Sequence, residues 1–218
     1  MDRRPGTFGL WAALALLALA IGIARPAGAA TGSDASKPAG GGMPSMSPEE
    51  MQKMMAYAVP GENHKALGKL VGNWKTTVRL WMGPGDPAVS QGTATYAWAL
   101  GGRYLQCHQT GSFNGMPYEG MGIDGYDNGK KQYFNVWFDN MGTGLMYSTG
   151  QPAADGQGIE YTGTTFDPSQ MKDMTVREIV HWNDANHYVY TMYSSFPGPD
   201  GKPQEMKVLE ILGEKQPG

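Results

Sequence analysis

Residues 118–144 read YEGMGIDGYDNGKKQYFNVWFDNMGTG, and this stretch decides the fold because it contains a complete β-hairpin. Asn128-Gly129 is a strong turn signal, since a two-residue type I′ turn needs φ above zero at both central positions. Such a turn places Asp127 opposite Lys130, and every later pair follows from that one. The predicted pairs are Ile123 with Phe134, Met121 with Val136 and Glu119 with Phe138 on one face, and Asp124 with Tyr133, Gly120 with Trp137 and Tyr118 with Asp139 on the other.

The two faces of this hairpin differ in chemistry. One face is aliphatic, while the other carries aromatic and polar side chains. A solvent-facing sheet has no need to expose a tryptophan and two tyrosines, whereas a ligand cavity needs aromatic walls with a few polar anchors. We therefore expect the second face to point inward, with space left by Gly120 and Gly122. Its candidate site residues are Tyr118, Asp124, Tyr133, Asn135, Trp137 and Asp139.

The composition fits one globular domain with appendages. The chain has 218 residues, of which 40% are hydrophobic and 17% charged, and this is enough to bury one sizeable core. The net charge of −3 and the isoelectric point near 5.8 provide no basic surface, so nucleic acid is not predicted as a partner. The 32 glycines and 15 prolines are spread along the chain as turn markers, which indicates many short strands.

The N-terminal residues 1–29 have the three parts of a secretory signal peptide. Arg3 and Arg4 form a positive start, residues 8–23 are apolar, and Ala27-Gly28-Ala29 is a small-residue cleavage site. We expect export to the periplasm or the medium, with no membrane span after cleavage because no second long apolar run occurs. Residues 30–46 are rich in Gly, Ser, Ala and Pro and are predicted to form a disordered leader.

Residues 47–71 are predicted to form a helical segment. Ser47, Pro48 and Glu50 make a capping box with proline at the first helical position, and Pro60 ends this helix. A second short helix follows, in which His64, Leu67 and Leu70 share one stripe. We expect this second helix to lie against the mouth of a larger element as a lid or plug.

Residues 72–213 are predicted to form an all-β domain. Turn markers recur at a steady interval, and the chain between them offers no helix that could connect parallel strands. We expect a closed up-and-down antiparallel barrel of about ten strands, with a β-sandwich as the alternative. The predicted strands are 73–82, 89–100, 103–113, 117–126, 132–140, 144–149, 158–166, 175–182, 188–196 and 204–212.

Several short motifs resemble known families. Gly72-Asn73-Trp74 is similar to the Gly-x-Trp signature of lipocalins and other calycin-like barrels, in which the tryptophan closes one barrel end. The wider pattern resembles the bacterial domain-of-unknown-function family 1579 over residues 60–212. The resemblance implies a single barrel domain and implies no particular activity. Arg103 and Arg177 are both candidates for the residue that pairs with the closing tryptophan. The motifs are Gly101-Gly102-Arg103, Gly125-Tyr126-Asp127, Trp137 with Asp139, Thr143-Gly144, Asp167-Pro168, and Lys207 with Glu210-Ile211.

No metal site or cofactor is predicted, although haem and copper stay as alternatives. His108 or His181 could ligate haem, but the four histidines lack the spacing of a zinc motif. Cys107 and His108 are strand neighbours that point to opposite faces, so they do not form a nucleophile and base pair. A cluster of methionines could bind Cu(I) through its thioethers, or its members at helical spacing could fill an apolar groove, and we favour the groove. The cluster consists of Met43, Met46, Met51, Met54 and Met55.

Three functions follow from this barrel. The favoured one is an exported protein that binds a small apolar or amphiphilic molecule. The alternatives are a structural or protein-interaction barrel with a filled interior, and a barrel enzyme that uses Asp139, Tyr133 or Arg177 as general acid or base; binding is favoured over catalysis. The ligand-binding residues are predicted to be Trp74, Trp98, Tyr118, Asp124, Tyr133, Asn135, Trp137, Asp139 and Arg177.

Overall fold

The structure is a computed structural model that describes residues 46–113, 115–197 and 202–217. The chain from Met46 onward forms one compact unit. The predicted signal peptide, residues 1–29, and all of the predicted leader before residue 46 lie outside the described residues. None of the described helices is long and apolar enough to cross a bilayer.

Ten antiparallel strands close into one barrel, as the turn markers predict, and the β-sandwich alternative is wrong. Each strand pairs with its neighbours in the chain, and the first strand pairs with the last through Trp74 opposite Lys215. The strands are β1 (Gly72–Leu80), β2 (Ala88–Ala99), β3 (Tyr104–Phe113), β4 (Met116–Asp127), β5 (Gln132–Asp139), β6 (Met146–Pro152), β7 (Gly158–Asp167), β8 (Lys172–Trp182), β9 (His187–Pro197) and β10 (Pro203–Lys215).

The helical segment begins as predicted. Helix α1 (Pro48–Ala58) is capped by Ser47, whose hydroxyl accepts from the Glu50 amide, while the Glu50 carboxylate accepts from the Ser47 amide at 2.7 Å. The expected burial of a methionine stripe in a groove is wrong. No residue of α1 is buried, and Met51, Met54 and Met55 are exposed because the helix touches the barrel mainly through its C-terminal end.

The second helix plugs one end of the barrel. Helix α2 (Glu62–Leu67) continues into a 3₁₀ turn (Gly68–Leu70), and the predicted stripe of His64, Leu67 and Leu70 is buried. The stripe packs against the barrel core, because three apolar or aromatic side chains on one side of a short helix need a surface to cover them. This confirms the predicted plug.

The β4–β5 hairpin has a longer turn than predicted. Asp127 Oδ1 accepts hydrogen bonds from the amides of Gly129 and Lys130, and the Asp127 carbonyl accepts from the Lys131 amide at 2.7 Å. The residue with positive φ is Lys131, at 53°, and not Asn128 or Gly129. The loop therefore has four residues, so Asp127 pairs with Gln132 instead of Lys130.

The longer turn moves the register by two residues. Asp124 pairs with Asn135, and Trp137 pairs with Gly122. A shift of two keeps every side chain on its predicted face, because side chains alternate with a period of two along a strand. The predicted pairs are wrong, but the predicted division into two faces is confirmed.

Asn128 has a role at the end of helix α1. Its side-chain amide donates to the carbonyls of Tyr57 and Val59, both at 2.9 Å. The last carbonyls of a helix lack partners within the helix, so a side-chain donor from outside stabilises this end. The β4–β5 turn therefore holds α1 against the plugged end of the barrel.

Trp74 closes the plugged end. Its ring nitrogen donates to the Leu70 carbonyl at 2.7 Å, and its ring packs edge-on against Tyr188 at 4.8 Å between centroids. The cation above the tryptophan is Lys215, whose ammonium lies 5.2 Å from the ring centroid. The predicted choice between Arg103 and Arg177 is therefore wrong, because the last strand brings a lysine to this position through the barrel seam.

Candidate ligand cavity

The barrel contains a cavity of about 510 Å³. Its floor includes Leu70 of the plug, and its lining reaches Leu80, Ala88 and Phe113 at the far ends of their strands. The cavity therefore opens at the end opposite the plug. Its walls are mostly apolar, and the aromatic residues that line it are Tyr96, Phe113, Tyr118, Trp137, Tyr161, Tyr188 and Tyr190.

The second face of the β4–β5 hairpin points into this cavity, as predicted. Strand β4 runs from the open end to the plugged end, where Tyr126 packs edge-on against His64 of the plug. Asp124 and Asn135 consequently lie deep in the barrel, and Tyr118 lies toward the opening. Five of the predicted site residues line the cavity: Tyr118, Asp124, Asn135, Trp137 and Asp139.

Four predicted site residues lie elsewhere. Trp74 and Tyr133 are buried in the packed core near the plug, and Trp98 lies against Gly68 with 39% of its surface exposed. Arg177 lies outside the barrel, where it pairs with Glu205 at 2.6 Å and Glu160 at 3.1 Å. These hydrogen-bonded ion pairs raise the pKa of Arg177 above its ordinary value. The candidate cavity site therefore leaves out these four residues.

Asp124 is the deepest carboxyl group contributed by the hairpin. It is only 8% exposed, and its Oδ1 accepts from Asn135 Nδ2 at 3.0 Å and from the Tyr161 hydroxyl at 3.5 Å. Burial raises the pKa of Asp124 to about 7, and the nearby Glu178 carboxylate adds to this rise, while the two hydrogen bonds oppose it. The acid consequently titrates near neutral pH.

Glu178 is a second buried carboxyl group, which our sequence-based site does not include. It is 1% exposed, accepts from the Ser148 hydroxyl, and accepts from the Tyr190 hydroxyl at 2.7 Å. Burial raises the pKa of Glu178. The signal was present in the sequence, because Glu178 lies between Val176 and Val180 at a spacing of two on one strand face.

Asp139 is the third carboxyl group in the lining and lies toward the opening. Its Oδ2 accepts from the Trp137 ring nitrogen and from the Tyr118 hydroxyl, both at 3.2 Å, and its Oδ1 accepts from the Met141 amide at 2.9 Å. These bonds fix the indole and the phenol along one wall. Asp139 therefore orients two aromatic side chains of the cavity.

Cys107 lines the cavity as a neutral thiol. Burial raises its pKa to about 12, against the opposing effect of a hydrogen bond with Tyr96. The reactive form of cysteine is the thiolate, so this thiol is not an activated nucleophile at neutral pH. Its neighbour His108 points outward and contacts Glu119 at 2.8 Å, which confirms that the two residues occupy opposite faces.

The other histidines also lie away from the cavity. His181, the second haem candidate, contacts Asp155 at 3.0 Å on the outer surface, and His187 contacts Asp184 at 2.9 Å. Within residues 46–113, 115–197 and 202–217, no three His, Cys, Asp or Glu side chains are grouped as metal ligands. Of the methionine cluster, Met43 lies outside the described residues, and the others are exposed on or next to α1.

Two solved structures are similar to parts of this chain. The crystal structure of Rv2717c from M. tuberculosis aligns with a TM-score of 0.53 and 15% identity, covering 73% of this chain and 100% of that one. A redesigned β-barrel, b11L5F_LGL, aligns at 17% identity over 70% of this chain and 96% of its own, with a TM-score of 0.35. No curated protein matches the chain.

The family match covers nearly all of the barrel. The model described as "Protein of unknown function (DUF1579)" matches residues 59–211, which run from the end of the first helix into the last strand. The likeness to Rv2717c, at 15% identity, shows the fold alone. Because the matched region is more than half of the chain, the protein belongs to the DUF1579 family of proteins of unknown function.

Proposed function

We propose that the protein is an exported barrel that binds a small apolar or amphiphilic molecule. The observation that carries this proposal is the cavity of about 510 Å³, plugged at one end and open at the other. Ligand cavities in proteins have volumes of roughly 300–1,000 Å³ and combine apolar walls with a few polar groups. The aromatic lining with Asp124, Asn135 and Asp139 has this composition.

The same volume argues against a filled structural barrel. The packed core of the domain is concentrated near the plug, around Leu67, Trp74 and Tyr133. A barrel that served only as a scaffold would gain stability by filling the remaining space, because empty volume in a core costs free energy. An open cavity with hydrogen-bonded polar groups in it fits a binding role better.

Export is supported by the sequence of residues 1–29. Their positive, apolar and small-residue sections are those of a signal peptide. The test is N-terminal sequencing of the protein recovered from its own cell envelope or medium. We expect the mature chain to begin at Ala30 or Thr31, and a soluble protein that retains Met1 would contradict export.

Binding is tested with a neutral apolar fluorophore, N-phenyl-1-naphthylamine, and by native mass spectrometry of protein purified from its own source. We expect the wild type to bind the fluorophore, and Trp137→Ala to change the affinity by about tenfold, because an aromatic wall is removed. Arg177→Ala is the control, since Arg177 lies outside the barrel. The absence of both fluorophore binding and a retained ligand would contradict a binding function.

A barrel enzyme is the second candidate, and the pKa of Asp124 favours it. A general base works best when its pKa is close to the working pH, and that of Asp124 is raised to about 7. Asp124, and not Asp139, Tyr133 or Arg177, would then accept the proton. The test is to incubate a ligand retained by the Asp124→Asn variant with fresh protein: conversion by the wild type but not by the variant supports catalysis, and a ligand that the wild type leaves unchanged contradicts it.

A further inference from the structure

The charges inside the cavity are of one sign. Three carboxyl groups line it, those of Asp124, Asp139 and Glu178. Among the described residues that line the cavity there is no lysine, arginine or histidine. Charges that are removed from water are normally paired with an opposite charge, because burial of a lone ion is costly. The protein itself does not provide that partner inside the barrel.

The hydrogen bonds of these groups leave a position for a donor. Both protein donors to Asp124 reach Oδ1, and no described residue donates to Oδ2, although the side chain is more than nine-tenths buried. Glu178 is held only by the neutral hydroxyls of Ser148 and Tyr190. A ligand with a positively charged donor would complete both the hydrogen bonding and the charge at Asp124.

The aromatic walls offer a second attraction for a cation. Tyr161 donates its hydroxyl to Asp124, and Tyr190 donates to Glu178, so both rings lie beside the two carboxyl groups. Trp137 lines the same cavity on the neighbouring hairpin strand. The faces of such rings carry negative potential and attract ammonium groups, with tryptophan the strongest. Carboxylates and ring faces together are the recognition chemistry of an organic ammonium ion.

We propose that the ligand is an apolar organic cation, such as a protonated amine on an aromatic or aliphatic body, whose ammonium group binds Asp124 deep in the cavity. This inference rests on the proposed binding function and names the chemical class of its ligand. The apolar body fills the space between the ammonium site and the opening, against Trp137 and the aliphatic wall residues Val78 and Ile211. Glu178 provides a second negative group close to the first.

Binding of a cation is coupled to proton release. Without a ligand, burial keeps part of the Asp124 population protonated near neutral pH. The other titratable groups that face it are those of Glu178, Tyr161, Tyr190, Tyr96 and Cys107, and burial raises the pKa of each of them. A carboxyl group, a phenol and a thiol are either neutral or anionic, so none of them supplies a positive charge. The affinity for a cation is therefore expected to increase between pH 5 and 8, because the ionised form of Asp124 binds it.

Three probes with one ring system separate charge from shape. Tryptamine is a cation, 3-ethylindole is neutral, and indole-3-propionate is an anion, while all three carry the same indole. Their affinities are measured by isothermal titration calorimetry on the full mature protein at pH 5 and pH 8. At pH 8 we expect tryptamine to bind about tenfold tighter than 3-ethylindole, the usual gain from a hydrogen bond to a charged group, and the anion to bind most weakly.

Two variants and a control locate the effect. Asp124→Asn keeps the shape of the side chain, so we expect it to abolish the preference for tryptamine while 3-ethylindole binds as in the wild type. Glu178→Gln is expected to reduce the preference partly. Asp155→Asn is the control, because Asp155 lies outside the barrel in contact with His181. The pH dependence of the wild type provides a second readout that needs no variant.

The possible outcomes distinguish this inference from the proposed function. If 3-ethylindole binds as tightly as tryptamine, or if the preference survives in Asp124→Asn, the cation inference is overturned while the binding function stands. A wild-type preference that does not change between pH 5 and 8 overturns the role of Asp124. If neither these probes nor N-phenyl-1-naphthylamine binds and native mass spectrometry finds no retained ligand, the proposed function is overturned as well.

Discussion

Gly120 lies directly beneath the indole ring of Trp137, so that a methyl group placed on Gly120 would come within 2.3 Å of Trp137 Cζ2. A methyl group on Gly122 would come within 2.8 Å of Cε3 of the same ring. The two glycines therefore let the indole lie flat against strand β4. A larger residue at either position would push the ring toward the centre of the cavity.

This contact predicts that Gly120→Ala destabilises the protein through Trp137. We expect a loss of about 1–3 kcal/mol in the free energy of unfolding, because the added methyl group overlaps the ring. In the Trp137→Ala background the same substitution should cost much less, since the overlapping ring is absent and the remaining close neighbour is the Tyr118 hydroxyl at 3.0 Å, the end of a flexible side chain. Urea denaturation of the four proteins of this double-mutant cycle measures the coupling.

The control for this cycle is Gly92→Ala. A methyl group on Gly92 would approach the Thr110 carbonyl at 2.4 Å, and that backbone contact does not depend on Trp137. Its cost should be the same in both backgrounds. Equal costs for Gly120→Ala in both backgrounds would show that the indole does not occupy this position.

Trp137→Ala by itself should lose less stability than a tryptophan removed from a packed core. Removing a tryptophan from a solid core lowers the free energy of unfolding by about 3–5 kcal/mol. Trp137 has the cavity on one side and is only partly buried, so we expect about 1–2 kcal/mol together with a large change in fluorophore affinity. Thermal melting and fluorophore titration check this, and a loss of stability typical of a solid core would contradict the open cavity.

Asp124→Asn is expected to stabilise the protein at alkaline pH. The pKa of Asp124 rises from 3.8 to about 7 on folding, so the folded state keeps a proton that the unfolded chain releases between these values. The stability of the wild type therefore falls as pH rises through this window, by up to about 4 kcal/mol for a shift of this size. The variant has no carboxyl group at this position, so its free energy of unfolding does not fall for this reason.

Urea denaturation at pH 4.5, 6 and 8 measures the difference between the two proteins. Exposed acids with lowered pKa values, such as Asp155 and Glu205, have the opposite pH dependence, but they are the same in both proteins and cancel. The free energy of unfolding of the variant, relative to that of the wild type, should increase from pH 4.5 to pH 8. A difference that is independent of pH would mean that Asp124 is ionised in the folded protein at every pH tested.

Lys131 holds the left-handed position of the β4–β5 turn, with φ at 53°. A β-branched residue is strained in this conformation, so Lys131→Val should lower the free energy of unfolding by about 1–2 kcal/mol. Lys131→Gly should leave stability unchanged or raise it by up to about 1 kcal/mol. Lys130→Val is the control, since Lys130 has no positive φ, and an equal loss from both valine variants would contradict the four-residue turn.

The sequence predicted the barrel well because its signals are local. Turn residues separate the strands, and the alternation within each strand assigns the faces, so the inward position of Trp137 and Asp139 was correct even with the wrong register. The turn itself could not be predicted from Asn128-Gly129. Asn128 binds carbonyls of helix α1, and this tertiary contact is invisible in the local sequence.

The site was only partly predictable for a similar reason. Asp124 and Asn135 belong to one hairpin, so their proximity follows from local pairing. Glu178 and Tyr161 reach the same cavity from β8 and β7, and their position next to Asp124 depends on how the whole barrel closes. The predicted position of Arg177 in the site is wrong, because its neighbours Val176 and Glu178 are the inward residues and side chains alternate along β8.

The seam of the barrel sets an order for folding. Strand β1 pairs with β10 from Trp74 opposite Lys215 to Leu80 opposite Leu209, so the first and last strands of the domain complete the sheet. Until β10 pairs, β1 and β9 each present an unpaired edge that can join another chain. Closing the seam joins segments from opposite ends of the domain, the kind of contact that slows folding. A chain whose synthesis is incomplete therefore has to be kept from aggregating until β10 is available to pair with β1 and β9.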